Sequence, residues 1–274
     1  ESTLAKNNQI LPFEPPHFGD HATFGGVIAA GLAGPARISV GNLRDFVLGT
    51  RLMDGRGEDL SFGGKVMKNV AGYDVSRLLP GSLGTLALLL EASVKVLPKP
   101  AATASLRCMM SAANALKILN EWAGQPLPLN ASAWIGDAHG EGELTIRLAG
   151  AKAAVTSASQ MMQDRLGATA LDDSEADLFW RNLREQRLSW FNQMPNDHAL
   201  WRLSLPANCP ALELPKDCSP KIIMEWHGQE RWIQGPANES TIKVLQNLAL
   251  EHGGHVTCFR FMSTVAIERF TRLE

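Results

Sequence analysis

The chain has no apolar run approaching the ~18–20 residues that a membrane-spanning helix needs. Its most apolar stretch, 78–90, is interrupted by Pro80, Gly81 and Gly84. It also lacks an excess of either charge. A net charge of −2 gives no reason to expect nucleic acid or an anionic membrane surface as a partner. No cysteine pair has C-x-x-C spacing: Cys108, Cys209, Cys218 and Cys258 are scattered. That usage predicts free thiols in a reducing compartment, with Cys209 and Cys218 the one pair near enough for a bridge or half a metal site. No basic region leads into an apolar one at the start, so no secretory signal is read there. Since residue 1 is Glu rather than Met, it is read as a truncation or processing point. Repeats and low-complexity segments are absent too. What is there is the composition of a soluble globular protein: 45% apolar and 20% charged over 274 residues, enough for one large domain or two ordinary ones.

Composition changes at Pro98-Lys99-Pro100. Fourteen of the 24 glycines precede it, whereas all seven tryptophans and all four cysteines follow it. The first pattern marks turns and close backbone approach to a ligand, the second ordinary core packing. A Pro-x-Pro step disfavours helix, so the boundary falls there, giving domains 1–100 and 101–274. In the first, 45–53 and 58–62 read as strands joined by Asp54-Gly55-Arg56-Gly57, an Asp-Gly hairpin signal. Residues 74–79 read as a short helix stopped by Pro80-Gly81, with Asp74 as its N-cap or, alternatively, a base. The run 86–97 reads as a buried strand. In the second, strands are predicted at 105–110, 131–135, 143–148, 201–205, 222–226 and 231–234. Helices are predicted at 112–122, 151–166, 175–186 and 239–251, the third burying Leu178, Phe179 and Leu183. Interleaved in this way, they predict an α+β sandwich, helices on one face of an antiparallel sheet.

The densest glycine segment is Gly19-Asp20-His21-Ala22-Thr23-Phe24-Gly25-Gly26, followed by Gly31 and Gly34. Gly25 and Gly26 either present successive N–H groups to an anion or simply form a tight turn before a packed helix. The common nucleotide motifs do not fit. Gly26, Gly31 and Gly34 do not make G-x-G-x-x-G, and Gly63-Gly64-Lys65 is followed by Val66 where a phosphate loop needs Ser or Thr.

Taken in order, Ala22-Thr23-Phe24-Gly25-Gly26, Gly31-x-x-Gly34, Gly41-x-x-Arg44-Asp45-Phe46-Val47-Leu48-Gly49, Lys68-Asn69-Val70-Ala71-Gly72-Tyr73-Asp74 and Gly81-Ser82-Leu83-Gly84-Thr85-Leu86 resemble the second half of the vanillyl-alcohol-oxidase, or PCMH-type, FAD domain. With Glu14-Pro15-Pro16-His17, Ser61-Phe62-Gly63-Gly64 and Trp201-Arg202-Leu203-Ser204-Leu205-Pro206, the resemblance narrows to the FAD-binding E-subunit family of bacterial glycolate oxidases. It implies an FAD-domain part at 1–100 and a cap at 101–274. It implies FAD contacts at Thr23, Gly25, Gly26, Gly31, Gly34, Gly84, Thr85 and Leu89. It also implies a heteromeric dehydrogenase for glycolate or D-lactate, with a sister FAD-binding subunit and an iron–sulfur subunit passing electrons to quinone. The complex would be cytoplasmic, peripheral at the inner membrane.

Several departures shape these expectations. A further glycine-rich FAD subdomain is expected before residue 1, and a Phe-Asn-Pro segment after residue 274. Ala87 stands where relatives carry Gly, and Leu83 where many carry Glu. The metal segment His-Gly-Asp-Gly-Asn-x-His of related hydroxy-acid dehydrogenases is absent, so the oxidation is expected mainly on the sister subunit, with no catalytic residue assigned here. His252 and His255 read as helix-end residues or a weak metal pair. Lys68, Arg44 and Arg77 either face an anion or pair on the surface. The lone tyrosine, Tyr73, invites a catalytic assignment and fits a packing or hydrogen-bonding role near the cofactor equally well. Trp180, Trp190, Trp201, Trp226 and Trp232 read as core, with room for a partner surface. A second reading is a truncated, non-catalytic structural subunit that has lost FAD.

Overall fold

The computed structural model describes residues 1–64 and 73–261. Of the sequence motifs, Lys68-Asn69-Val70-Ala71-Gly72 therefore lies outside the described residues. The chain divides into two compact units, Glu1–Pro100 with Trp180–Gln186, and Ala101–Phe179 with Arg187–Glu274.

The first unit holds a three-stranded antiparallel sheet, with Val47–Met53 between Asp59–Gly63 and Leu88–Val94. The hairpin closes where the Asp-Gly signal predicts it. Asp54 Oδ1 accepts from Arg56 N–H and Glu58 N–H at 2.8 and 3.0 Å, and Gly57 supplies φ +82°. Arg51 crosses all three strands, its guanidinium held by Asp59 at 2.7 Å and Glu91 at 2.9 Å. Phe13, Ile28, Leu43, Phe46 and Val47 form the small core beneath.

Two expectations change in this unit. The apolar run 86–97 is not a buried strand: Leu88–Val94 is a sheet edge, and Leu88 is 62% exposed. A continuous apolar run signals burial on both faces only where both faces are covered. Asp74 does occupy the N-cap of the short 3₁₀ turn Val75–Leu78, but its side chain makes no cap and pairs with Arg77 at 3.2 Å. Arg77 is thereby a paired surface residue, and Arg44 is exposed.

The second unit is an α+β sandwich. Its eight antiparallel strands run in the order His255–Phe261, His198–Ser204, Glu230–Pro236, Lys221–Glu225, Leu129–Asp137, Glu141–Gly150, Ala102–Ser111, Thr169–Ala170. Alternate strand residues Leu106, Trp134, Leu144, Ile146, Trp201, Leu203, Met224 and Ile233 join the helices Ala112–Ala123, Lys152–Leu166 and Glu239–Glu251 in one core. The period-2 alternation thus puts the helices on one face of the sheet. The registers Arg202↔Trp232, Ile223↔Trp232 and Glu225↔Glu230 place those residues on the other face. In the helix Asp173–Arg184 the buried positions are Trp180 and Leu183, and Leu178 is exposed. Phe179 and Leu183 are spaced i, i+4 and Trp180 and Leu183 i, i+3, so helical spacing serves either pair, and the larger tryptophan ring takes the buried side. All four cysteines are buried and free, and no set of His, Cys, Asp and Glu among the described residues is arranged to hold a metal.

Candidate functional site

The glycine-rich segment of the first unit builds its site around one short helix, Phe24–Ala30. Thr23 caps it: extended at ψ 154°, it accepts from Gly26 N–H through Oγ1 at 3.1 Å. Gly31 ends it in the left-handed region at φ +64°. Beyond that end, Gly81 N–H donates to Ile28 O (3.1 Å) and Leu83 N–H to Ala29 O (2.8 Å), so a turn satisfies carbonyls the helix leaves open. That backbone contact fixes the residue type. A Cβ on Gly31 would stand 2.5 Å from Gly81 N. Gly34 is equally confined, since its Cβ would stand 2.4 Å from Glu14 O.

Docking the turn against the helix leaves a hollow of about 380 Å³, lined by Gly25, Gly26, Ala29, Ser82, Gly84 and Leu89 among others. A second hollow of about 270 Å³ borders the same Gly26 and is walled by His17, Phe18, His21 and Thr23. Among the described residues no charged side chain lines the larger one. A Cβ on Gly25 or Gly84 would meet none of the described residues within 4 Å. Small residues facing open space let a flat or elongated ligand reach the backbone, and the size suits part of a cofactor.

Gly25, Gly26, Gly84 and Leu89 therefore share one hollow, with Thr23 at the other. Gly31 and Gly34 line neither; they are the close approaches that hold the helix in place. Thr85 turns inward on its own loop, donating to Ser82 O at 2.6 Å. Ala87, at the position where glycine is expected, lines the larger hollow, and Leu83 is exposed at φ +54°. Tyr73 is 97% exposed among the described residues. The contacts expected from the sequence leave out Ala29 and Ser82, although Gly25, Gly26 and Ala29 carry helical i, i+3 and i, i+4 spacing of small residues.

In the second unit the tryptophans are core, as expected. Trp190, Phe191, Trp232 and Phe259 form a chain of edge-to-face contacts at 5.0–6.1 Å between centroids. Arg202 pairs with Glu230 and lies over Trp226 and Trp232, at 5.3 and 5.9 Å from their centroids. Burial, reinforced by the neighbouring Arg202 charge, lowers the pKa of His255.

No protein-family model matches the chain. Over 259 residues it is 44% identical to the glycolate oxidase subunit GlcE of Escherichia coli K12, an alignment covering 94% of this chain and 67% of that protein. The chain belongs to the GlcE family. This GlcE-family chain also matches the glycolate oxidase subunit GlcD of Bacillus subtilis 168, at 43% identity over 79 residues. A D-lactate dehydrogenase of Archaeoglobus fulgidus is 38% identical over 86 residues. Those two alignments cover 29% and 31% of the chain but only 17% and 19% of the respective proteins. The chain thus spans about two thirds of its GlcE relative and under a fifth of the others. Among solved structures, an alkyldihydroxyacetonephosphate synthase superposes with TM-score 0.62 at 16% identity, covering 93% of this chain and 57% of that one. That likeness concerns the fold alone. Among the described residues no helix is long and apolar enough to cross a membrane.

Proposed function

We propose that this chain is an FAD-binding subunit of a glycolate-oxidising complex, with 1–100 forming part of a PCMH-type FAD domain and 101–274 its cap. The observation that carries the reading is the hollow at Gly25, Gly26, Ala29, Ser82, Gly84 and Leu89, in a chain 44% identical to GlcE. Its lining fits the group. The side-chain-free edge at Gly25 and Gly84 admits a flat ring or ribityl chain, and Leu79, Leu88 and Leu89 offer it an apolar wall. Thr23 and Gly26 continue the contact into the smaller hollow. Bound FAD would supply the acceptor for the electrons removed from a 2-hydroxy acid. The chain's own residues would bind it, orient it and keep water from its apolar face. Partners would be a sister FAD-binding subunit, which carries most of the hydroxy-acid oxidation, and an iron–sulfur subunit leading to quinone. The substrate would be glycolate or D-lactate, and the complex would lie on the cytoplasmic side, peripheral to the membrane.

Gly25→Leu tests the site cleanly. No described atom lies within 4 Å of the added Cβ, and replacing a helical glycine favours the helix by up to ~1 kcal/mol. FAD titrated into the flavin-stripped protein and followed by fluorescence quenching is expected to bind about tenfold or more weakly, with no loss of thermal stability. Undiminished affinity would place the flavin elsewhere. A wild-type complex whose flavin content is that of the sister subunit alone would instead make this chain a structural subunit.

A further inference from the structure

The chain gives the first unit one excursion from its later sequence, Trp180–Gln186. Glu185 anchors that excursion. Its side chain is only 4% exposed. Oε2 accepts from both His17 N–H at 3.0 Å and Phe18 N–H at 2.9 Å, while Oε1 accepts from Arg184 Nε at 2.8 Å. Two successive amides converge on one oxygen only if the chain curls, and it does: Phe18 has φ +52° and Gly19 φ +137°. The arrangement is a backbone nest filled by a carboxylate from 168 positions away. Left-handed backbone is unfavourable for phenylalanine, so the conformation needs this outside support. Arg184 adds to it, because its Cγ lies where a Cβ on Gly34 would come within 3.3 Å. Burial alone would raise the Glu185 pKa; the two amides and Arg184 outweigh it and hold the carboxyl below its usual range.

His17 and Phe18 are walls of the smaller hollow, together with Thr23 and Gly26. Glu185 lines neither hollow. We propose that Glu185 is a positioning residue whose carboxylate holds the His17 and Phe18 loop in the shape that forms one wall of the flavin site. The segment 180–186 thereby sets flavin affinity without touching the flavin. This rests on the flavin reading above, and it adds a residue that neither glycine pattern nor hollow reveals.

The test uses the full-length protein as wild type, Glu185→Gln and Glu185→Leu, with two readouts. Gln keeps an oxygen that accepts from both amides; Leu keeps the bulk and removes the acceptor. Amide hydrogen exchange at His17 and Phe18 is expected to be slow in wild type and Gln, and about tenfold or more faster in Leu. The Kd for added FAD is expected to rise about tenfold in Leu and no more than about threefold in Gln, because a loop no longer pre-set must be ordered on binding. Rescue by Gln separates positioning from a requirement for bulk. Unchanged exchange, or unchanged FAD affinity in the Leu variant, overturns the proposal. A wild-type protein that takes up no FAD overturns the flavin reading, and the exchange data then still decide whether the clasp exists. Should the Leu variant fail to fold, Glu185→Asp, too short by one methylene to reach both amides, is read under the same outcomes.

Discussion

Arg231→Met is expected to destabilise the second unit by about 3–5 kcal/mol, because it strips three main-chain carbonyls of their guanidinium donor. Arg231 is 1% exposed. Its Nε donates to Gly228 O at 3.0 Å, and its two terminal nitrogens donate to Pro210 O at 2.6 Å and Cys209 O at 2.7 Å. No ion pair to a carboxylate accompanies these bonds among the described residues. The guanidinium is solvated by backbone instead, and burial still lowers its pKa. What it secures is specific. One end is the irregular segment around Cys209 and Pro210; the other is the turn at Gly228, which enters the strand Glu230–Pro236. Methionine fills much of the volume but leaves the buried Gly228 and Cys209 carbonyls without that donor, each unmet group costing ~1–3 kcal/mol, while Cys209 Sγ still reaches Pro210 O at 3.6 Å. Lysine, a point charge without the planar fork, should restore about half. Denaturant unfolding followed by tryptophan fluorescence measures both variants. A methionine variant as stable as wild type would mean that water reaches all three carbonyls and that Arg231 is no clamp.

That clamp marks the limit of what the sequence discloses. The sandwich was legible because its elements carry clear periods. Ala112, Ala115, Leu116 and Leu119 recur at helical spacing and are all buried, and strands such as Glu141–Gly150 alternate as a half-covered sheet does. The hairpin at Asp54 was legible because an Asp-Gly step has few other uses. Of the candidate site, Gly25, Gly26 and Gly84 were visible as glycines. Nothing local separated them from Gly31 and Gly34, whose need for glycine comes from Pro80–Gly81 and Glu14, segments distant in sequence. Glu185 was illegible for the same reason, with its partners 168 and 167 positions away. The edge strand Leu88–Val94 misled for another: hydrophobicity reports what a segment would gain from cover, and not whether cover is provided.

Below pH 6.5 the second unit is expected to lose stability through His227, by up to about 3 kcal/mol once pH 4 is reached. His227 lies in a turn that sequence rules disfavour. Trp226, His227 and Gly228 are left-handed in succession, at φ +52°, +57° and +87°. Only the glycine adopts that region freely. The turn is held from both sides. Ser132 Oγ accepts from His227 N–H at 3.1 Å, and Gly228 packs so closely on Leu116 that a Cβ there would fall 2.0 Å from its Cδ2. The imidazole is 6% exposed, and its Nε2 has no hydrogen-bond partner among the described residues. Burial without a compensating acceptor penalises the cation, and lowers the pKa from 6.5 to about 4. In the unfolded chain the same histidine takes up its proton near pH 6.5. Between the two values the unfolded state binds the extra proton, so stability falls as pH falls through this window. Below about pH 4 the folded state protonates too, and this contribution stops changing. The slope inside the window is about 1.4 kcal/mol per pH unit, added to whatever the carboxylates contribute. Asparagine tolerates the left-handed region and does not titrate, so His227→Asn isolates the effect. The difference in unfolding free energy between wild type and this variant, measured from pH 7.5 to 4, should shrink as pH drops if wild type starts the more stable, and widen in the variant's favour otherwise. Parallel profiles would show that the imidazole is hydrated or protonated in the folded protein, and that its turn is supported by Ser132 and Leu116 alone.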